Sequence, residues 1–390
     1  MSEPAARGVS GKAQIEGFGW HPEARAFDGA GVEVKRGAPG QGVFPDRPAG
    51  AALAALGGGP FRIGGEGPAP EGQGVFEALT GGSSGAPRRI RRSQASWIAS
   101  FAVNAGLFDI GPGLRVAVLG RLVHSLALYG AVEALYLGAE LHLLEELRPD
   151  RQRTALAVRR VGLVYATPAQ LRLLVEAGGP VLPDLSHVIV GGSKLDPALR
   201  LALAQMAPEA VVREFYGAAE ASFITLSGPD TPQDSVGSPY PGVNLRIEAG
   251  EIWVKSPYLF EGYASDPGSA RWAEGWLSVG ETGEMRQGLL YLAGRMSRMV
   301  KVADQAVYPE EIEAFLMAQQ GLTRAAVLAR PDALRGVHLV AFVMGDRTGE
   351  ATILAALRRR FGALKAPKAL IWREDWPMLA SGKTDLGALE

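Results

Sequence analysis

The sequence predicts an α/β fold in which a large N-terminal domain of parallel sheets flanked by helices is followed by a small α+β C-terminal domain. The chain has 390 residues, enough for two or three domains of about 100–200 residues each. From residue 114 onward, short apolar runs alternate with helical patterns of about 10–15 residues, which is typical of parallel sheets covered by helices. This alternation is lost before residue 295, so we expect domains at residues 1–296 and 297–390.

The N-terminal domain begins with an irregular stretch. Residues 1–75 are rich in glycine and proline, with only short apolar runs between these breakers, so we expect loops and a few strands. Buried strands follow at residues 114–119, 163–165, 187–190 and 211–215. Between the last two, Asp196 and Pro197 are predicted to form the N-cap and first position of a helix.

Two glycine-bearing turns follow predicted strands directly. They are Gly191-Gly192-Ser193 and Tyr216-Gly217. Ligands of open α/β sheets bind beyond the carboxyl ends of the strands. We therefore expect both turns to contribute to a binding site.

The pattern of the sequence changes at the end of the N-terminal domain and again in the C-terminal domain. Residues 250–263 alternate like a strand, and glycines then interrupt the chain as far as Gly294. Beyond Arg295, Pro309 opens a helix whose first turns are acidic, as suits a helix N-terminus. A buried strand, a second helix and a final strand are predicted at residues 339–344, 351–361 and 369–372.

Composition excludes several classes of function. The 40 Lys and Arg residues balance 41 Asp and Glu residues, so no field attracts nucleic acid or anionic membrane. The absence of cysteine excludes disulfides, thiolate metal sites and cysteine nucleophiles. The first 12 residues do not resemble a signal peptide, and charges interrupt the apolar stretch 114–144. We expect a soluble cytoplasmic protein with no nucleic-acid or membrane partner.

The strongest local signal is the segment 80–88, in which glycine and hydroxyl residues precede a basic residue. Glycine lets backbone N–H groups approach a phosphate, hydroxyls add donors and a cation offsets the charge. The alternative is a flexible Gly/Ser surface loop. The candidate phosphate ligands are Thr80, Gly82, Ser83, Ser84, Gly85 and Arg88. In a neutral chain, the arginines at 88–92 are interpreted as one phosphate ligand followed by a solvated edge strand.

Together with four later segments, this loop resembles the adenylate-forming superfamily of acyl-CoA synthetases, aryl-acid ligases, luciferases and peptide-synthetase adenylation domains. The four segments, in the family's order, are 216–220, 275–281, 294–295 and 381–383. The resemblance implies a large α/β domain with a mobile C-terminal lid. It also implies ATP-dependent conversion of a carboxylic acid to acyl-AMP, with release of pyrophosphate.

The resemblance assigns roles to single residues. It places Tyr216 and Gly217 in the nucleotide site, with the tyrosine against adenine, and it makes Glu220 the Mg²⁺ ligand. Glu281 would bind the ribose hydroxyls. Arg295 would lie at the hinge, and Lys383 would bridge the carboxylate and the α-phosphate.

The acyl pocket is implied at His124, Gly192 and Ala218, although a helix-packing role for His124 is an equal alternative. Apolar residues near the pocket favour a modest organic acid over a charged amino acid. In the family the acyl group then passes to the thiol of CoA or of an acyl carrier protein's phosphopantetheine. Residue spacing does not decide between these acceptors and another nucleophile.

Several positions depart from the family's pattern. Ser297 replaces the hinge acid, and Asp304 stands where a glycine usually lets the pantetheine arm pass, so the resemblance supports adenylation more strongly than thiol transfer. The part before the loop is also shorter than in relatives, so we expect a slower or specialised enzyme. A degenerate nucleotide-binding scaffold without turnover is the alternative, and the joint presence of three catalytic positions argues against it. The other variant positions are Gly81, Arg88, Ala219 and Glu281.

Overall fold

The computed structural model of the protein describes residues 17–80, 88–266, 269–302, 305–332, 336–379 and 383–389. In chain order the strands are β1 (Arg25–Phe27), β2 (Gly42–Phe44), β3 (Phe61–Ile63), β4 (Val75–Leu79), β5 (Arg89–Ser93), β6 (Arg115–Val118), β7 (Glu140–Leu143), β8 (Leu163–Ala166), β9 (His187–Val190), β10 (Val211–Ala218), β11 (Ser222–Leu226), β12 (Ser238–Pro239), β13 (Asn244–Glu248), β14 (Glu251–Lys255), β15 (Gly262–Tyr263), β16 (Trp272–Ala273), β17 (Trp276–Arg286), β18 (Leu289–Arg295), β19 (Val300–Val302), β20 (Gln305–Val307), β21 (Leu322–Asp332), β22 (Gly336–Gly345) and β23 (Leu370–Trp372). The helices are α1 (Ala49–Ala54), α2 (Gln94–Phe108), α3 (Ser125–Leu137), α4 (Pro149–Val158), α5 (Pro168–Glu176), α6 (Pro197–Met206), α7 (Pro309–Met317) and α8 (Glu350–Lys365).

The largest sheet in the described part of the chain has the strand order β1-β7-β6-β8-β9-β10-β11-β12. Its strands are parallel from β1 to β10, whereas β11 and β12 are antiparallel to their neighbours. Helices α2 and α3 cover one face, and α4, α5 and α6 cover the other. Because both faces are buried, the strands are continuous apolar runs, as in β8, where Tyr165 and Val164 belong to opposite cores.

The helix predicted after Asp196 is α6. The Asp196 carboxylate accepts a hydrogen bond from the Leu199 backbone N–H at 2.9 Å, and Pro197 takes the first helical position.

A second sheet, of order β15-β5-β4-β3-β2, joins the early part of the chain to a later segment. It incorporates β2 and β3 from the stretch that was expected to be loops with a few strands. A third sheet pairs β13, β14, β17 and β16, and β18 pairs with β17. This sheet leads into the C-terminal part of the chain.

The C-terminal elements form a small α+β unit with its own core. The sheet β21-β22-β23 packs with α7 and α8 around Val302, Ile312, Leu316, Val327 and Leu357. Both predicted helices and both predicted strands of this unit are present, and Gly362 interrupts α8 with φ 79° and ψ 158°. The α/β class with a smaller C-terminal unit is therefore confirmed. No helix in the described ranges is long and apolar enough to cross a bilayer.

Two predictions about local structure were wrong. The arginine-rich segment is not a solvated edge strand, because β5 is paired on both sides by β4 and β15 and because Arg92 is completely buried. Tyr216 and Gly217 do not form a turn, because β10 continues to Ala218 through an irregularity in its pairing with β11. The chain reverses instead between Ala218 and Ser222, at residues 219–221.

Candidate active site

The base of the predicted phosphate loop is closed by hydrogen bonds between its two ends. The Thr80 backbone N–H donates to the Arg88 carbonyl at 2.8 Å, and the Arg88 N–H donates to Thr80 Oγ1 at 2.9 Å. The intervening candidates Gly82, Ser83, Ser84 and Gly85 lie outside the described residues. The loop therefore leaves from the end of β4 and returns into β5.

His124 lies beside this loop base. The Leu79 N–H donates to the Val123 carbonyl at 3.0 Å, and Leu79 forms an isolated parallel β-bridge with His124. His124 occupies the N-cap position of α3. Burial and the nearby Arg121 lower the pKa of His124, so its imidazole is neutral at neutral pH. Its buried Nδ1 has no hydrogen-bond partner among the described residues. The structure thus brings His124 to the loop, with an unpaired polar atom available to a ligand.

Glu220 lies in the chain reversal between β10 and β11. Its Oε1 accepts a hydrogen bond of 2.7 Å from the hydroxyl of Tyr263 on β15. The guanidinium of Arg88 lies 3.3 Å from the centre of the Tyr263 ring. Burial and the Glu220 carboxylate raise the pKa of Tyr263, so its hydroxyl stays a donor. Arg88, the predicted phosphate ligand, and Glu220, the predicted metal ligand, thus both contact Tyr263.

Arg92 is a residue of this region that sequence reasoning missed. Its side chain is 0% exposed and donates to the Ala219 carbonyl at 2.5 Å and to the Tyr258 carbonyl. Burial lowers its pKa to about 9, against an opposing effect of Glu220. The alternation of a strand could have indicated its burial, because side chains two residues apart share a face and Arg92 therefore lies on the same face of β5 as the buried Ile90.

The nucleotide candidates Tyr216, Glu281 and Arg295 lie together. Glu281 and Arg295 are register partners in β17 and β18, and their Oε1 and Nε atoms are 3.2 Å apart. Burial and the facing Glu281 carboxylate raise the pKa of Tyr216. Neither the buried Tyr216 hydroxyl nor the buried Glu281 Oε2 makes a hydrogen bond of normal geometry within the described ranges. Each buried polar group without a hydrogen-bond partner lowers the stability of the fold by about 1–3 kcal/mol. An aromatic face beside an unpaired carboxylate oxygen fits an adenosine, whose ribose hydroxyls are donors.

Lys383 enters the same region from the C-terminal end of the chain. Burial and Arg295 lower the pKa of its amine, whereas Glu281 and Glu220 raise it. Its charge is therefore within electrostatic range of all three predicted site residues. The Lys383 carbonyl accepts from the Leu379 N–H at 2.8 Å, which anchors the residue in the small unit.

The turn after β9 is shaped by close packing. A Cβ atom on Gly191 would lie 2.3 Å from the Phe215 ring, and Gly192 has a φ of +97°, which favours glycine. Ser193 is exposed. Because β9 and β10 are parallel neighbours, this turn lies at the same sheet edge as Ala218.

The hinge region contains charged contacts that the sequence did not indicate. Ser297 lies in the 3₁₀ turn Met296–Arg298, where the Arg298 guanidinium bonds the Glu313 carboxylate at 2.7 and 3.1 Å. Glu310 lies 3.1 Å from the same guanidinium. Asp304 lies outside the described residues. The hinge turn is thus tied to α7 of the small unit.

No group of three or more His, Asp or Glu side chains that could hold a metal occurs in the described ranges. Mg²⁺ commonly takes one or two protein carboxylates and completes its shell with substrate phosphates and water. Glu220 near the phosphate loop fits that donor set.

Known proteins share both parts of this arrangement. The AMP-binding enzyme family matches residues 66–264, and the AMP-binding enzyme C-terminal domain matches residues 311–383. An uncharacterized acyl-CoA ligase, YhfT of Bacillus subtilis, is 31% identical over 324 residues, which cover 79% of this chain and 66% of the relative. The putative long chain fatty acid-CoA ligase VraA of Staphylococcus haemolyticus is 28% identical over 314 residues, covering 78% of this chain and 67% of the relative. The chain thus spans about two thirds of the length of these relatives.

Solved structures show the same fold. The amide bond synthetase McbA from Marinactinospora thermotolerans has a TM-score of 0.73 at 25% identity, covering 89% of this chain and 78% of its own. The o-succinylbenzoate CoA synthetase from Bacillus subtilis, solved with its acyl-adenylate intermediate, has a TM-score of 0.70 at 21% identity, covering 81% and 68%. The chain therefore belongs to the AMP-binding enzyme family, the adenylate-forming family that its motifs resemble.

Proposed function

We propose that this protein is an AMP-forming acid ligase, which activates a carboxylic acid as acyl-AMP and then passes the acyl group to a thiol. The observation that carries the proposal is the convergence of Lys383 with Glu281, Glu220 and Arg295 around Tyr216. The family match and the acyl-CoA ligase relatives support it. Nothing in these comparisons favours the scaffold alternative.

In the adenylation step, a carboxylate oxygen attacks the α-phosphorus of ATP, and the bond to pyrophosphate breaks. Both reactants are anionic, so the step needs positive charge where they meet. Lys383 supplies a compact cation between the carboxylate and the α-phosphate. The backbone and hydroxyls of residues 80–88, with the Arg88 guanidinium, hold the pyrophosphate as it leaves.

The adenosine is held at Tyr216 and Glu281, whose hydroxyl and Oε2 atoms are without hydrogen-bond partners of normal geometry in the described part of the chain. Tyr216 and Gly217 border the base, and Glu281 accepts from the ribose hydroxyls beside Arg295. Mg²⁺, held by Glu220, would neutralise phosphate charge. The acid's organic group would lie near His124, Gly192 and Ala218, and the turn Gly191 to Ser193 would border both ligands.

In this proposal, residues 1–296 bind ATP and acid, and residues 297–390 are a lid that delivers Lys383. The same lid would later admit the acceptor thiol. We place the reaction in the cytoplasm, where ATP and CoA are supplied.

The names of the ligase relatives favour CoA as the thiol acceptor, and the phosphopantetheine of an acyl carrier protein is the alternative thiol. A second acceptor class is an amine. It is favoured by one observation, the TM-score of 0.73 to a protein named an amide bond synthetase.

The test is acid-dependent exchange of labelled pyrophosphate into ATP over aliphatic, aryl and amino acids. Exchange with one acid class, and its loss in Lys383→Ala, is the expected result. Absence of exchange with every acid, despite ATP binding by calorimetry, would refute the ligase. CoA, holo-carrier protein and simple amines, added to the active acid, then identify the acceptor.

A further inference from the structure

The segment that carries Glu220 has little structure of its own to fix it. Ala219 and Glu220 lie in the short connection between β10 and β11, outside any helix or strand. The Glu220 carbonyl accepts from the Phe260 N–H at 2.8 Å, and its carboxylate accepts from the Tyr263 hydroxyl at 2.7 Å. Residues 260–263 thus restrain both the backbone and the carboxylate of Glu220.

A second restraint comes from Arg92. This side chain is 0% exposed and forms no ion pair with any residue in the described ranges. The Glu220 and Glu261 carboxylates act on it only from beyond ion-pair distance and offset only part of the effect of burial, so its N–H groups need hydrogen-bond acceptors. The guanidinium donates to the carbonyls of Ala219, next to Glu220, and of Tyr258, at the start of the segment that leads to Tyr263.

The two restraints belong to one pair of strands. Residue 91 of β5 is the register partner of Gly262, and residue 90 that of Tyr263. Arg88, one residue before β5, stacks on the Tyr263 ring at 3.3 Å from its centre. The segment leaving the phosphate loop therefore contacts the backbone beside Glu220 directly, through Arg92, and reaches the Glu220 carboxylate indirectly, through the Tyr263 ring.

We propose that Arg92 and Tyr263 are positioning residues for Glu220: Tyr263 fixes the carboxylate and Arg92 fixes the backbone beside it. Arg88, stacked on Tyr263, couples this arrangement to the phosphate loop. The inference rests on the proposed function, because it gives Glu220 the role of metal ligand. Hydrogen-bonded partners behind a metal ligand orient it, and their removal weakens metal binding by about 10–100-fold.

The test is calorimetric ATP binding to the full chain, in Mg²⁺ and in EDTA, for the wild type and Tyr263→Phe. The ratio of the two affinities measures how strongly Mg²⁺ supports ATP. We expect Tyr263→Phe to lower this ratio about tenfold and to leave the affinity in EDTA unchanged. A general loss of structure would reduce both affinities together.

The matched control is Tyr291→Phe. Tyr291 also carries a stacked arginine, with Arg286 at 3.5 Å from its ring centre, and lies on β18 away from Glu220. Its ratio should equal that of the wild type. Arg92→Lys should lower the ratio of the two ATP affinities less than Arg92→Met does, because lysine keeps a donor for one of the two carbonyls. If Arg92→Met does not fold, Tyr263→Phe still decides.

The outcomes separate the two proposals. If the wild type binds Mg²⁺-ATP more tightly than ATP in EDTA and Tyr263→Phe shows the same ratio, the positioning role is wrong and the ligase is unaffected. If the wild type does not bind ATP in either condition, the ligase proposal fails, and this inference fails with it.

Discussion

Lys383 reaches the site with its amine among one cation, Arg295, and two carboxylates, Glu281 and Glu220. Burial is the largest effect and lowers the pKa of the amine below the ordinary 10.5. Catalysis by charge needs the protonated form. That form is complete at low pH and is lost as pH rises through this lowered pKa.

The first prediction concerns this pH dependence. Pyrophosphate exchange should fall on the alkaline side at a pH below 10.5. Lys383→Arg should move that fall to higher pH, because a guanidinium keeps its charge to about pH 12 or beyond. Lys383→Ala should lower exchange at neutral pH about 100- to 1000-fold. Unchanged alkaline behaviour in Lys383→Arg would show that another group titrates.

At the scale of elements, the turn after β9 depends on a glycine pressed against an aromatic ring. Gly191→Ala should reduce the free energy of unfolding by about 1–3 kcal/mol, because its Cβ would lie 2.3 Å from Phe215. Urea denaturation measures the change. Phe215→Leu in the same chain should recover part of the lost free energy of unfolding.

The control is Gly106→Ala in α2, where no heavy atom lies within 4 Å of the new Cβ. This change should instead stabilise the protein by about 0.5–1 kcal/mol. Equal effects at both sites would contradict the packing argument.

A buried carboxyl between α2, α3 and β8 makes the stability of these elements depend on pH. Glu133 accepts from Asn104 at 2.8 Å, from Tyr129 at 3.2 Å and from Tyr165, and burial raises its pKa from 4.5 to about 7. The folded state therefore binds this proton more tightly than the unfolded chain. This contribution is full below pH 4.5 and is lost as pH rises to about 7.

Glu133→Gln should remove the part of the loss of unfolding free energy that the wild type shows between pH 4.5 and about 7. Urea titrations at a series of pH values measure both slopes. Leu203→Ala, a core change in α6 on the other face of the sheet, should shift stability at all pH values alike. A Glu133→Gln slope that matches the wild type would contradict the assigned pKa.

The same scale shows what could be predicted from sequence. The bounds of β9 were predicted because a buried parallel strand is a continuous apolar run. The strand period could have indicated that Arg92 is buried, but its partners could not be predicted, because the Ala219 and Tyr258 carbonyls lie 127 and 166 residues later in the chain. The continuation of β10 through Tyr216 and Gly217 was missed for a related reason, since its irregular pairing with β11 is a tertiary feature.

At the scale of the whole molecule, the proposed site combines residues that are far apart in the chain, from Thr80 to Lys383. The family's ordered segments made it possible to predict which residues meet, but not which contacts join them. Glu220 to Tyr263 and Arg298 to Glu313 are examples of contacts that only the folded chain reveals. Gly294, near the end of β18, packs against Tyr308 and Glu310 of the small C-terminal unit, which therefore lies beside the ribose candidates.

The central claim is that a carboxylate attacks the α-phosphorus of ATP. With the acid that supports exchange, both carboxylate oxygens labelled with ¹⁸O, and the preferred acceptor present, mass spectrometry of the nucleotide product tests this most directly. Acyl adenylate formation predicts AMP that carries one ¹⁸O atom from the acid, because the acyl carbon–oxygen bond breaks in the transfer. Unlabelled AMP, or ADP as the product, would contradict it.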